Sequence, residues 1–170
     1  MIELIEISES NIDYDLIHDW CKNKFVYEWF EQRILSKEEI KQKYSNKLFN
    51  SQQKLFYISC NNKYIGLVQY YLSDYKFGNN EKIYEYDLYI GDSEYLSKGI
   101  GKEIIKKVNK IIFEKEIANR IILRPFTKNT RACKCYEKCG FKKINEYNDF
   151  DTIGNKENYS VYIIDKSLYF

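Results

Sequence analysis

Apolar residues recur along this chain at two different spacings, which together predict a mixed α/β fold. From position 100 to position 112, isoleucine and valine repeat at the interval of a helix that packs one face against a core. Segments 2–7 and 81–90 instead alternate apolar and polar residues, as half-buried strands do. The same pattern predicts strands at 2–7, 54–60, 64–72, 81–90, 120–123, 142–146 and 159–164, and helices at 12–22, 37–47, 100–115 and 129–138.

Residues that favour caps mark the ends of these helices. Ser10 precedes the first helix as a candidate cap, and Ser36, with a glutamate three positions later, forms a capping box at the start of the second. Gly140 lies where the last helix ends. The order β-α-α-β-β-β-α-β-α-β-β combines hairpins with one β-α-β crossover. Because the chain has no repeat and no linker-like stretch, residues 1–170 are predicted to form one domain.

The composition is that of a soluble globular protein. Hydrophobic residues make up 44% of the chain and charged residues 31%, with a net charge of +2. No cluster of Lys and Arg is interleaved with aromatic residues, so we expect no nucleic-acid partner. No apolar run reaches the length of a membrane span, and the acidic first residues are unlike a signal peptide. We therefore expect a cytoplasmic protein without a membrane partner, of unknown oligomeric state.

The chain contains five cysteines, an odd number that fits reduced intracellular thiols. Cys133, Cys135 and Cys139 lie on one predicted helix and cannot all face a common point. No histidine lies near them in the sequence. The pattern therefore predicts no metal site.

A short loop with two glycines joins strand 81–90 to helix 100–115. Gly99 and Gly101 let the backbone turn tightly and leave no side chain between the main chain and a bound anion. The free amides at the start of the helix, together with its dipole, favour a phosphate group there. The loop indicates a pyrophosphate site, although a plain turn before a helix has the same sequence pattern.

A second motif lies in the last predicted helix. It reads Asn129-Thr130-Arg131-Ala132-Cys133-Lys134-Cys135-Tyr136-Glu137-Lys138-Cys139-Gly140-Phe141. The two motifs resemble those of the GNAT family of acetyl-CoA-dependent N-acetyltransferases, namely Q/R-x-x-G-x-G/A and N-x-x-A-x-x-x-Y-E-K-x-G-F. Leu96 stands where the family usually carries Gln or Arg. This difference removes a polar side chain from the loop but no backbone amide. The resemblance covers nearly the whole chain and implies a GNAT fold, with a mixed, mostly antiparallel central sheet flanked by helices.

The resemblance also implies acetyl-CoA as co-substrate, without a metal. It places the pyrophosphate on the loop amides and the pantetheine beside the end of strand 81–90, paired like an added strand. A backbone amide at the end of that strand is the expected donor to the oxyanion. Asn129 is expected near the CoA arm, which is compatible with a simple helix cap. The implied CoA-binding residues are Leu88, Tyr89, Ile90, Ser97, Lys98, Gly99, Ile100, Gly101, Lys102 and Asn129.

Tyr136 matches the family tyrosine that is proposed to protonate the leaving thiolate. A phenol keeps its proton at neutral pH and can donate it to a developing thiolate. The alternative is a core tyrosine, since the chain has seventeen tyrosines. The surrounding motif favours the acid role.

Glu85 and Asp87 fall on one face of strand 81–90, which we expect to be central in the sheet. Buried charges need partners. The two residues therefore have two interpretations. In the first, they lie on a solvated face or form a structural ion pair; in the second, they line an acceptor cleft. In such a cleft, a carboxylate holds a cationic amine and takes its proton directly or through water.

Three segments resemble the aminoglycoside 6'-N-acetyltransferase branch of the family, whose members carry an acidic residue where Asp87 lies. They are Tyr86-Asp87-Leu88-Tyr89-Ile90-Gly91, then Tyr95-Leu96-Ser97-Lys98-Gly99-Ile100-Gly101, and, nearer the N-terminus, Trp20 followed by Val26-Tyr27-Glu28-Trp29-Phe30. The resemblance implies direct acetyl transfer in a ternary complex, with Asp87 and Tyr136 as catalytic residues. It places Trp20, Glu28, Glu85 and Asp87 on the acceptor side. An aminoglycoside is the leading acceptor. The alternative acceptors are a protein N-terminus, a ribosomal protein or a polyamine. The alternative class of function is a non-catalytic CoA-binding module.

Overall fold

The computed structural model describes residues 1–78 and 80–169, and the main elements follow the predicted order. They are β1 (Ile2–Glu6), α1 (Tyr14–Cys21), α2 (Lys24–Tyr27), α3 (Lys37–Phe49), β2 (Gln53–Cys60), β3 (Lys63–Leu72), β4 (Ile83–Ile90), α4 (Ile100–Lys115), β5 (Arg120–Leu123), α5 (Thr130–Lys138), β6 (Lys142–Phe150) and β7 (Lys156–Asp165). Short 3₁₀ turns lie at Ser93–Tyr95 and Lys166–Leu168. Within the described ranges, no helix is long and apolar enough to cross a lipid bilayer.

The seven strands form one sheet in the order β1-β2-β3-β4-β5-β7-β6. Among the described residues, only β4 and β5 pair in parallel, because α4 carries the chain over the sheet between them. Every other neighbouring pair in this sheet is antiparallel. This arrangement confirms the predicted fold class.

Helices cover both faces of the sheet, so the protein has two apolar layers. On one face, Ile104, Ile105 and Ile112 of α4 are fully buried in a core shared with α5. On the other face, Ile17 of α1 and Ile40 of α3 are also fully buried, in a second core. Each such side chain stabilises the fold by about 2 kcal/mol relative to an exposed one. β4 lies between the two layers, so its alternate residues face different cores.

Most predicted element ends are confirmed, and a few are corrected. The capping box is present, since Ser36 Oγ accepts a hydrogen bond from the Glu39 amide at 3.2 Å. Gly140, with φ +93°, follows α5 as predicted. The cap of α1 is Asp13 rather than Ser10, because the Asp13 carboxylate accepts from the Leu16 amide at 2.9 Å. The short helix α2 was not predicted, and β6 and β7 are longer than expected.

Candidate functional site

The glycine loop leads into α4 without a side-chain cap on the first amides of the helix. Gly99 is the N-cap residue, has φ +77° and places no capping side chain there. The amides at 100–102 belong to the first turn, where a helix has no internal acceptors. Ser97, at φ +60°, and Lys98 form the exposed outer part of the loop. A 16-residue helix thus points its positive end at an open site, an arrangement that suits a pyrophosphate.

β4 and β5 separate after a short stretch of pairing. Residues 83–85 pair with residues 120–122, whereas β3 follows β4 to its end. Among the described residues, the rest of β4 has no strand partner on the β5 side. An unpaired strand edge offers backbone donors and acceptors to an extended ligand. Leu88, Tyr89 and Ile90, the residues predicted to contact pantetheine, lie on this edge.

Helix α5 brings the second motif beside the glycine loop. A Cβ added at Gly101 would lie 3.3 Å from Cys135 Sγ, so the start of α4 is in close contact with α5. Asn129 caps α5, because its carboxamide oxygen accepts a hydrogen bond from the Ala132 amide at 3.2 Å. The two motifs that are far apart in the sequence are therefore adjacent in the fold.

Tyr136 lies partly buried on the same helix. Its ring centroid is 6.0 Å from those of Phe141 and Tyr162. Burial raises the pKa of Tyr136 above its usual value, and the negative charge of Asp87 raises it further. The phenol therefore keeps its proton at neutral pH and stands within the electrostatic reach of Asp87.

Asp87 is held by the neighbouring strand but keeps one oxygen open. Its Oδ2 accepts hydrogen bonds from Gln69 Nε2 at 2.8 Å and from the Tyr71 hydroxyl at 3.3 Å. Both donors belong to β3, which pairs with β4 over these residues. Lys47 donates in turn to the carboxamide oxygen of Gln69. No described residue donates to Asp87 Oδ1, so this oxygen is available to an amine.

Glu85, two residues earlier on the same face, has a different environment. It is 4% exposed, and Arg124 binds both of its oxygens, with Nε 2.9 Å from Oε1 and Nη2 2.7 Å from Oε2. Ser73 donates to Oε2 as well. Burial raises the pKa of Glu85, and the Arg124 guanidinium opposes that rise. Glu85 thus matches the structural ion-pair interpretation, and the geometry does not support its predicted direct contact with an acceptor.

A cleft opens above Asp87, between α2, α3 and the sheet. Its apolar walls are Cys21, Val26, Tyr27, Phe30, Tyr44, Leu67 and Tyr89, and its polar groups are Glu31, Lys43, Lys47, Gln69 and Asp87. The hydroxyls of Tyr44 and Tyr89 are hydrogen-bonded to each other at 3.3 Å. Lys43 forms an ion pair with Glu31. The cleft is therefore an apolar pocket with a few charged groups directed into it, a form common to small-molecule sites.

Two residues predicted on the acceptor side lie elsewhere. Trp20 is 5% exposed and belongs to the core, where its ring fills the space that a side chain at Gly91 would need. Trp20 therefore has a packing role in this structure, and its contact with an acceptor stays a prediction. Glu28 ends α2 outside the walls of the cleft, and Glu31 lines the cleft in its place.

The sequence interpretation missed the groups that surround Asp87. Gln69 is polar inside an otherwise apolar strand, and that exception is the signal that could have identified it. Lys43 and Lys47 lie one helical turn apart, on the side of α3 that also carries the buried Tyr44. A lysine pair on a helix is usually solvated, so their spacing alone gave no reason to place them in a cleft.

Comparison with known proteins places the chain in a family. The family model described as Acetyltransferase (GNAT) domain matches residues 9–149. The aminoglycoside N(6')-acetyltransferase type 1 of Klebsiella pneumoniae is 22% identical over 143 residues, which cover 77% of this chain and 70% of that protein.

Two solved structures share the fold. Aminoglycoside acetyltransferase AAC(6')-Ib in complex with coenzyme A has a TM-score of 0.82 at 18% identity, with 99% of this chain and 97% of that chain covered. Spermidine N-acetyltransferase from Vibrio cholerae in complex with CoA and spermine has a TM-score of 0.82 at 20% identity, with the same coverage of 99% and 97%. Since the family model spans most of the chain, this protein belongs to the GNAT family of acetyltransferases.

Proposed function

We propose that this acetyltransferase moves the acetyl group of acetyl-CoA to a primary amine by direct attack in a ternary complex. The observation that carries the proposal is the carboxylate of Asp87. It is fixed through one oxygen by Gln69 and Tyr71, open at the other, and directed into the acceptor cleft. On β4 it immediately precedes the unpaired edge proposed for pantetheine, so amine and thioester would meet beside it.

Acetyl-CoA would be held mainly by backbone groups. In this proposal, the amides from Lys98 to Lys102 bind the pyrophosphate, and the edge at Leu88, Tyr89 and Ile90 pairs with pantetheine. These contacts need no particular side chain, so Leu96 in place of the family's Gln or Arg is compatible with them. Asn129 uses its oxygen to cap α5, which leaves its NH₂ group as the donor toward the CoA arm.

The chemistry requires three proton transfers, two from the acceptor nitrogen and one to the thiolate. Asp87 holds the ammonium of the acceptor and takes one proton, directly or through water, so that the neutral nitrogen attacks the acetyl carbonyl carbon. A backbone amide at the end of β4 stabilises the resulting oxyanion. The C–S bond then breaks, and Tyr136 donates its phenolic proton to the departing thiolate. The acceptor nitrogen gives its second proton, through water, to the Tyr136 phenolate, and Asp87 releases its proton to solvent. The products are an N-acetylated amine and coenzyme A.

An aminoglycoside is the first candidate acceptor. Its support is the function named for the Klebsiella pneumoniae relative and the carboxylate available for an ammonium group. A polyamine is the second candidate, because a neighbour in fold is a spermidine acetyltransferase bound to spermine. Both acceptors present a primary amine that Asp87 can bind.

The test is thiol release from acetyl-CoA with kanamycin, ribostamycin, spermidine and a peptide amine as acceptors. Asp87→Asn keeps the shape of the side chain and removes its charge. We expect turnover to fall by about 10²-fold or more, with unchanged acetyl-CoA binding. Higher pH should partly restore activity, because more of the amine is then already neutral. Asp19→Asn, on the surface of α1, is the matched control and should behave as wild type.

One result would contradict the base role of Asp87, and another would contradict the aminoglycoside as acceptor. A fully active Asp87→Asn variant would remove the base role. A wild-type enzyme that ignores the aminoglycosides and acetylates spermidine would move the acceptor assignment to polyamines.

A further inference from the structure

Lys47 places a positive charge in the acceptor cleft without an anionic partner in ion-pair contact. Its side chain is partly buried, and its ammonium donates to the carboxamide oxygen of Gln69. No carboxylate of the described residues forms an ion pair with it. Gln69 in turn donates to Asp87, so Lys47 and Asp87 are joined through one neutral side chain. The ammonium therefore stands one hydrogen-bonded residue away from the proposed amine-binding carboxylate.

The other charged groups of the cleft do not compensate Lys47. Lys43 and Glu31 form an ion pair, which leaves no net charge on that side. Among the groups lining the cleft, only Asp87 and Lys47 then remain as an unpaired anion and an unpaired cation. Burial lowers the pKa of Lys47, and the field of Asp87 raises it, consistent with a desolvated ammonium that faces a nearby carboxylate.

This charge arrangement restricts what an acceptor can carry beside its reacting amine. The amine can bind at Asp87. A second ammonium on the same part of the acceptor would approach Lys47 and be repelled in partly desolvated surroundings. A hydroxyl or a carboxylate at that position would instead accept a hydrogen bond from the Lys47 ammonium, the stronger one going to the carboxylate.

We propose that Lys47 is an acceptor-selecting residue. It favours primary amines flanked by hydroxyl or carboxylate groups, and it disfavours amines flanked by a second ammonium. This inference rests on the proposed acetyl transfer at Asp87. It adds a repulsive element, which discriminates between acceptors that share a reactive amine.

Two matched pairs of acceptors test the inference. Kanamycin A and kanamycin B differ by a hydroxyl against an amine on the sugar ring that carries the primary amine, and lysine and cadaverine differ by one carboxylate. We expect wild-type kcat/KM to favour kanamycin A over kanamycin B, and lysine over cadaverine, by at least about tenfold. Lys47→Met should reduce both preferences to within about threefold, while Lys47→Arg should keep them.

Lys41→Met supplies the control, since Lys41 lies exposed on the same helix and outside the cleft. It should leave both preferences and the acetyl-CoA KM unchanged. Preferences that are absent in wild type, or that persist in Lys47→Met, would overturn the inference. A folded Lys47→Met that is inactive toward all four amines would also overturn it, because Lys47 would then serve the reaction itself.

The proposed acceptor and the proposed selectivity of Lys47 can be contradicted separately. If neither kanamycin is acetylated, the aminoglycoside assignment is lost, and lysine against cadaverine still decides the role of Lys47. If none of the four amines is acetylated but spermidine or the peptide amine is, the selectivity is overturned and the proposed acetyl transfer stands. If no amine of either panel is acetylated, both proposals are overturned.

Discussion

At the scale of single residues, Tyr136 combines a packing position with its proposed role as general acid. Its ring packs with Phe141 and Tyr162 as any buried tyrosine would, while its hydroxyl lies in the electrostatic field of Asp87. Packing fixes the position of the phenol, and burial keeps it protonated. The core-packing and general-acid interpretations are therefore compatible with one another.

Replacing Tyr136 by Phe separates the two roles, because the ring remains and only the proton donor is lost. We expect kcat to fall by about 10²-fold or more, with little change in the KM for acetyl-CoA. Steady-state kinetics with the best acceptor measures this. Tyr64→Phe, on the exposed side of the β2–β3 hairpin, is the control and should retain activity. Near-complete turnover by Tyr136→Phe would leave Tyr136 with packing alone.

The two carboxylates of β4 show what the alternation of residues along a strand can predict and what it cannot. Period-two alternation correctly places Glu85 and Asp87 on one face. Their partners come from elsewhere in the sequence: Arg124 follows β5, while Gln69 and Tyr71 lie on β3. A single sequence gives the side of the strand, but it does not give which carboxylate is neutralised. That distinction decides which of the two is available to an acceptor.

At the scale of elements, the start of α4 joins a tight turn to the proposed pyrophosphate site. Gly99 adopts φ +77°, a conformation that L side chains rarely take, and Gly101 lies against Cys135 of α5. One glycine serves the turn, and the other serves close packing beside the proposed pyrophosphate. A side chain at Gly101 would thus meet either the thiol or the cofactor.

Gly101→Val is expected to weaken acetyl-CoA binding by at least about tenfold while the protein stays folded, because its methyl groups would occupy the phosphate side of the loop. Isothermal titration calorimetry measures the affinity, and circular dichroism checks the fold. The double variant Gly101→Val with Cys135→Ala distinguishes the causes. Recovery of binding in the double variant would assign the loss to crowding between α4 and α5, and unchanged affinity in Gly101→Val would contradict the pyrophosphate site.

The long elements follow from sequence periodicity, and the first helices show where periodicity is insufficient. Ser10 and Asp13 are both good caps, and the choice depends on a contact between distant segments: the Tyr57 hydroxyl accepts a hydrogen bond from the Asp13 amide at 2.7 Å. That contact joins residues 44 positions apart. Helix α2 has only four residues, too few to show a periodic pattern.

At the scale of the whole molecule, a well-packed scaffold supports a cleft that is not optimised for stability. Ile17 and Ile40 are fully buried beside that cleft, and α4 buries a second layer beneath the sheet. Within this apolar environment, the Lys47 ammonium donates to the Gln69 carboxamide and lies over the Tyr44 ring, 5.6 Å from its centroid, and no carboxylate of the described residues forms an ion pair with it. Desolvating a charge without an ion partner costs stability. If Lys47 selects acceptors, the protein keeps this buried ammonium for its function although the ammonium lowers the stability of the fold.

Lys47→Met tests this cost independently of catalysis. Burial holds the pKa of Lys47 below its ordinary value of 10.5, so the unfolded chain binds this proton more tightly than the folded chain does. At pH 7 the folded state bears the cost of the buried charge, and that cost fades as the pH rises toward 10.5 because folded Lys47 loses its proton first.

We therefore expect Lys47→Met to unfold about 2–4 °C above wild type at pH 7, equivalent to ~1 kcal/mol in a domain of this size. The difference should shrink as the pH is raised. Calorimetric Tm values across a pH series measure it, and Lys41→Met should show no such pH dependence. A Lys47→Met variant that is less stable than wild type at pH 7 would mean that the hydrogen bond to Gln69 outweighs the desolvation of the ammonium, so that Lys47 stabilises the fold.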